Sequence, residues 1–261
     1  MLSLESIFLV SAVFVIGGFV KGVIGLGLPT VSLALLAATI ELKTALAVLV
    51  LPALATNVVQ ALTGGALLKI VRRTWTFMVF ASVFTWLGTG ILAASDAPAF
   101  AALLGFVTVA YAGISLASLQ IVISKKWEVL VSPGLGVIAG IITGLTGTFV
   151  VPGVMYLQSL KFSKDKFIQA MGILFTAASL ALGISLGGHG LITVNLGFVS
   201  AMAIAPAFFG MYIGTKIRNK LDDRKFRRVF FISLMLLGIY IVVRSITINV
   251  TPMTTAWHVF G

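Results

Sequence analysis

Cysteine is absent from the chain, so disulfides, thiolate metal sites and cysteine nucleophiles are all excluded. Charge is also scarce. Only 10% of the 261 residues are charged, where a soluble domain carries about a quarter. No long polar stretch occurs, so no soluble domain is attached. Acidic residues are rarer than basic ones. The seven lie at positions 5, 41, 96, 128, 165, 222 and 223, near the termini or in expected loops. None is expected to be buried, which leaves no carboxylate proton relay and no carboxylate to hold a cationic substrate. The two histidines, His189 and His258, fall outside the apolar runs and far apart, as solvated loop residues would. An intramembrane enzyme needs a nucleophile with a base, or a metal cluster. The chain is therefore read as a non-enzyme without cofactor or metal.

What remains is apolar. Hydrophobic residues make up 59% of the chain and the mean hydropathy is +1.15. Eight apolar stretches stand out, at roughly 6–40, 44–68, 74–95, 99–123, 131–160, 167–188, 191–215 and 229–250. A helix needs about 20 residues to cross the hydrocarbon. Six stretches fit one crossing, which implies an all-α polytopic membrane protein surrounded by lipid. The first and fifth are too long, and both are interrupted by glycines and a proline.

These two stretches resemble each other. Gly18-Phe19-Val20-Lys21-Gly22-Val23-Ile24-Gly25 aligns with Gly140-Ile141-Ile142-Thr143-Gly144-Leu145-Thr146-Gly147, and Pro29 matches Pro152 after a one-residue insertion. Farther on, Asn57 falls near Ser179, and Asp96…Phe100 near Asp222…Phe226. Two repeats follow, 1–123 and 124–250, with a short tail at 251–261. Glycine- or proline-broken segments at matching places in two repeats point to a transport site.

Net charge is +11, but the basic residues sit in short loops, where they set topology rather than bind nucleic acid. If each long stretch crossed once, two strongly basic loops would lie on opposite faces. If each is a re-entrant hairpin with arms of about 15 residues, roughly 22 Å, each repeat crosses three times and the repeats are inverted. Fifteen basic residues then lie inside, only Lys43 and Arg244 outside, and Lys21 in the membrane. Both termini are expected outside. Residues Met1–Ser6 lack the positive start of a cleaved signal peptide. The loop charges and the lack of a targeting extension suggest the plasma or bacterial inner membrane.

Irregular backbone at depth must be buried in protein or line a cavity. Gly22, Gly25, Gly27 and Pro29, and Gly144, Gly147 and Pro152, are read as two hairpin tips. Each proline suits the first position of a new helix, and each tip presents a helix N-terminus that favours an anion near the midplane. Lys21 adds a full positive charge, and an intramembrane cation is usually functional. Its bland alternative is snorkelling to an interface. Other lining candidates are Asn57 and Gln60, which share a helix face, Thr143, Thr146 and Thr148 at the second tip, and Gln169, Thr176 and Ser179. Hydroxyls in membrane helices often only bond their own backbone. Gly210 and Gly214 are assigned to helix packing.

The G-F-V-K-G-V-I-G-L-G-L-P and G-I-I-T-G-L-T-G-T-F-V-V-P motifs, with the length, resemble the TauE/SafE family of membrane transporters. The resemblance covers nearly the whole chain. It implies export of sulfite or an organosulfur anion from the cytoplasm, and it places the glycine–proline motifs at the positions named above. The second motif lacks a counterpart of Gly27, and Thr143 replaces the lysine, so the half-sites are unequal. The expected function is secondary export of a small sulfur-containing anion, sulfite first. Lys21 attracts it, the N–H groups after Gly27 and Gly147 coordinate it, and Asn57, Gln60, Thr146 and Ser179 complete its hydrogen bonds. The rivals are a transporter of another small organic anion, such as an organosulfonate or carboxylate, and a non-transporting subunit of a membrane complex. A homo-oligomer is compatible with either.

Overall fold

The computed structural model describes residues 4–95, 99–117, 123 and 125–248. Asp96, His258 and the tail 251–261 lie outside the described residues. The described residues form helices α1 (Leu4–Ile24), α2 (Leu28–Ala37), α3 (Leu42–Leu62), α4 (Leu67–Ala93), α5 (Ala99–Leu116), α6 (Lys125–Thr146), α7 (Gly153–Ser159), α8 (Lys164–Gly188), α9 (Val194–Met202), α10 (Ile204–Ile217) and α11 (Asp223–Ile248). A 3₁₀ turn, Arg218–Lys220, joins α10 to α11. Eight helical segments among them are long and apolar enough to cross a membrane. The seventh is two helices, α9 and α10, joined at Ala203.

Both long stretches break, but their arms are unequal. The sequence gives each arm about 15 residues. Instead α1 and α6 have 21 and 22 residues, about 31 and 33 Å, enough to cross alone. The return arms are short: α2 has 10 residues and α7 has 7. Gly22 and Gly144 stay helical and do not end their helices. The turn falls at Gly25 (φ 85°) and Gly27 (φ 111°) in the first segment and at Gly147 (φ 70°) in the second. These left-handed values suit glycine. Beyond the first turn the chain doubles back, bringing Ser32 of α2 beside Gly17 of α1. Pro29 is the second residue of α2, and Pro152 is the N-cap of α7; neither takes the first helical position.

Helical glycines form two packing seams. A Cβ on Gly18 would collide with the Ala207 carbonyl oxygen, and one on Gly22 with that of Met211. From the other side, Gly210 and Gly214 press on the carbonyls of Val15 and Phe19, so this G-x-x-x-G pair is a packing element. The contacts rise together along both chains, so α1 and α10 run parallel. The same holds for α6 and α4, where Gly136, Gly140 and Gly144 meet Phe77, Ala81 and Thr85 in order. Helices α3 and α8 are antiparallel: Gly183 meets Val50, and Gly172 meets Gln60 and Ala61. Helices α5 and α11 touch at Gly105 and Gly238.

Two local devices steady α3 and the inner end of α4. Pro52 has no N–H, so the Val48 carbonyl lacks its helical donor. The Ser200 hydroxyl of α9 donates to it at 2.8 Å and accepts from the Leu51 N–H at 3.1 Å. Glu128, expected in a solvated loop, is buried at 8% exposure. Its carboxylate accepts two hydrogen bonds from the Arg73 guanidinium, at 2.8 and 2.9 Å. A bidentate arginine makes that burial tolerable, and it takes the carboxylate out of any proton relay.

The seams make a paired prediction. Gly18→Ala should destabilise the detergent-solubilised protein by about 1–3 kcal/mol through overpacking. Gly197→Ala, in open space on α9, should be neutral or stabilise it by up to about 1 kcal/mol. Thermal unfolding of both variants checks this.

Candidate anion site

Lys21 lies in the last turn of α1 and is only 3% exposed. Its Nζ donates to Thr56 Oγ1 at 3.2 Å and to Asn57 Oδ1, both on α3. The Thr56 hydroxyl hydrogen is directed to the Pro52 carbonyl at 2.8 Å, which turns the oxygen's lone pairs toward the lysine. Asn57 Nδ2 in turn donates to Ser179 Oγ on α8 at 3.4 Å. Asn57 and Ser179 are fully buried. Three helices thus bring Lys21, Thr56, Asn57 and Ser179 into one chain of polar contacts.

The electrostatics of this cluster are lopsided. An ammonium group has three donors. Two are taken here by neutral oxygens, and among the described residues no carboxylate pairs with Lys21. A protonated amine held this way keeps its full charge and one N–H unmatched. Taking an ion out of water costs several kcal/mol unless an opposite charge repays it. The start of α2 adds to the positive character. Gly27 lies beside Val20, and the Leu28 carbonyl beside Gly17, so the first turn of α2 packs against α1 within a turn of Lys21. The early N–H groups of a helix lack intrahelical acceptors and favour negative charge.

Gln60 has a different part from the one its position on the Asn57 face suggests. Its Nε2 donates to the carbonyls of Gly25 and Ile168, each at 2.8 Å. Both N–H bonds are thus spent tying the first break to α8. Gln169 plays a similar part: its amide donates to the Ala61 carbonyl at 2.9 Å and accepts from the Ala66 N–H at 2.9 Å, clamping the α3–α4 turn. Among the described residues, the Thr176 hydroxyl bonds the Gly172 carbonyl of its own helix.

The second break is neutral and closed on itself. Thr143 Oγ1 donates to the Thr148 carbonyl at 3.1 Å, and Thr146 Oγ1 to the Ile142 carbonyl at 2.7 Å. The Thr148 N–H, the donor expected to meet an anion after Gly147, donates instead to Thr146 Oγ1 at 3.3 Å. Gly147 packs against Leu33 and Leu46, and Gly144 against α4. Among the described residues no hydrogen bond joins this break to the Lys21 cluster. Thr56 is the member of that cluster not singled out from the sequence. Its signal was faint: a threonine next to Asn57, four residues after Pro52.

If Gln60 positions the break, Gln60→Leu should leave the Gly25 carbonyl unpaired at depth and cut the tie to the Ile168 carbonyl, which keeps its own helical donor. The cost should be about 1–3 kcal/mol, read as a lower unfolding temperature. A Gln60→Leu variant as stable as the parent would show that the clamp contributes nothing.

Comparison with known proteins fits this geometry. Neither a curated relative nor a solved structure shows significant similarity to the chain. A family model described as "Sulfite exporter TauE/SafE" matches residues 9–241, a span that takes in both breaks and the whole Lys21 cluster. Proteins of that family are membrane transporters of sulfur-containing anions rather than enzymes. With eight segments able to cross a membrane and a match over most of its length, this chain belongs to the TauE/SafE sulfite exporter family, as a multi-pass membrane transporter.

Proposed function

We propose that the protein exports sulfite from the cytoplasm across the plasma or bacterial inner membrane, binding the anion at Lys21. The observation that carries this reading is the burial of the Lys21 amine among neutral partners, with no carboxylate partner among the described residues. A small oxyanion supplies the missing charge and accepts the remaining N–H. Asn57 and Ser179 are placed to complete its hydrogen bonds, and the first turn of α2 offers further backbone donors. The inside-negative potential favours outward movement by about 2.3 kcal/mol per charge per 100 mV. A uniport route therefore suffices, and a proton can travel on the cargo as bisulfite.

We also propose that the two halves are inverted repeats. Asn57 and Ser179 are 122 positions apart and bond each other. Lys21 and Thr143 have the same separation, as do Val50 and Gly172, and Ala61 and Gly183. Exchanging the halves by that offset turns the Val50–Gly183 contact into the Gly172–Ala61 contact, and both occur. The parallel pairs α1–α10 and α6–α4 exchange in the same way. Equivalent residues that touch lie on or near a two-fold axis, which supports placing the Lys21 cluster close to the centre of the molecule.

Two experiments test these readings. In liposomes, Lys21→Ala should lower sulfite efflux by about tenfold or more, the effect of removing a charge-assisted hydrogen bond. Wild-type rates at all sulfite concentrations would remove Lys21 from the mechanism, and competition by acetate or an alkanesulfonate would identify a different cargo. For topology, single cysteines placed in the cysteine-free chain at Lys69 and Lys216 should react with an impermeant reagent only from the cytoplasmic side. Cysteines at Glu41 and His189 should react only from outside. Opposite labelling of positions 69 and 216 would refute the inverted arrangement.

A further inference from the structure

A cavity of about 330 Å³ lies beside the first break, on the side of the basic run that begins at Arg218. Ile24 and Leu26, which flank Gly25, form part of its wall, and Phe231 of α11 forms another part. Its polar lining residues are Arg218, Arg227, Ser115, Tyr111 and Gln158. The two arginines come from the 3₁₀ turn and from α11, so the cavity draws on elements far apart in sequence. Among the described residues neither guanidinium has a carboxylate partner. Arg227 lies over the Phe231 ring at 5.9 Å, which limits its freedom. Arg218 is half-buried, while Arg227 is exposed at the mouth.

This cavity differs in kind from the Lys21 cluster. The cluster is fully enclosed and polar; the cavity is partly open and lined by apolar side chains together with two guanidinium groups. Its volume falls at the lower end of small-molecule pockets and exceeds what a bare inorganic oxyanion fills. Paired guanidinium groups recognise planar or trigonal oxygens through several N–H bonds, and the apolar wall gains by covering hydrocarbon. The Gln60 clamp bonds the Gly25 and Ile168 carbonyls, and Ile168 is itself part of the cavity wall.

We infer that this cavity is a second, cytoplasm-facing binding site, in which Arg218 and Arg227 hold the head of an organic oxyanion while Ile24, Leu26 and Phe231 cover its short apolar body. The site stands ahead of the Gln60 clamp and fills without occupation of Lys21. The broken segment is one wall of it, so a ligand here bears directly on the element that the clamp holds. Occupancy therefore discriminates organic from inorganic anions before any reaches the buried cluster.

Calorimetric titration of the full chain in lipid nanodiscs tests this, with butane-1-sulfonate, sulfite and sulfate as probes. Discs of phosphatidylcholine alone are compared with discs containing phosphatidylglycerol. The inference expects butane-1-sulfonate to bind more tightly than sulfate and equally in both discs. Arg218→Gln/Arg227→Gln should weaken it by about tenfold or more, while Lys21→Gln leaves it within about twofold of wild type. Should the double variant fail to fold, Arg227→Gln at the exposed mouth carries the same comparison. No binding by wild type, unchanged binding in the arginine variants, or loss in Lys21→Gln would overturn the site. Competition by phosphatidylglycerol would also overturn it, by assigning the arginines to a lipid headgroup. Sulfite efflux by the same variants is read separately, so failure of this site and failure of the Lys21 reading are told apart.

Discussion

An ammonium group buried without a carboxylate is the constraint around which the rest of this structure is arranged. At 3% exposure Lys21 cannot be served by bulk water. Among the described residues it is given two neutral oxygens, from Thr56 and Asn57. Such an arrangement is poor as a structural device, because a buried ion stabilises a fold only when its charge is answered. It suits a transporter, which must bind its cargo without holding it. Two neutral acceptors orient the lysine without supplying an opposite charge. Contrast Arg73 and Glu128, also at the helix-packing surface: there the charges are matched bidentately, and nothing is left to offer.

Holding Lys21 in place depends on backbone geometry more than on side chains. The turn of α1 that carries it is pressed onto α10 through Gly18 and Gly22, whose missing Cβ atoms let the chains approach. The break that follows is fixed by the Gln60 amide. The Thr56 and Asn57 end of α3 follows Pro52, whose lost hydrogen bond is repaired by Ser200. The last two devices satisfy backbone carbonyls that lipid would leave unpaired. The irregular segments are therefore held at depth by a few side-chain hydrogen bonds.

Much of this was legible in the sequence, for physical reasons. Lys21 stood out because a cation in an apolar run has no cheap explanation. The repeat alignment set Asn57 near Ser179, but that the two side chains bond each other could not be read from it. The scarcity of acids pointed to an anion. Other features were hidden. Gly22 and Gly144 look like breakers in sequence, but a partner backbone keeps them helical, so α1 and α6 run longer than expected. Gln60 shares a face with Asn57, yet which acceptors its amide meets depends on where the break and α8 fall in space. Glu128 sits after two lysines, like a solvated residue, and only packing against Arg73 buries it. The hydroxyls of the second break were read as donors to an anion; local bonds within the turn take up Thr143 and Thr146 and the Thr148 N–H. Local competition of this kind is invisible to spacing.

The most direct test of the central claim is to locate the anion. Selenite has the charge and shape of sulfite and an anomalous scatterer at its centre. Crystals of the protein grown with selenite, measured at the selenium edge, should show a peak beside Lys21 Nζ, within reach of Asn57 and Ser179. A selenium peak elsewhere with the Lys21 cluster unoccupied, or no bound selenite at concentrations that saturate sulfite transport, would contradict the account.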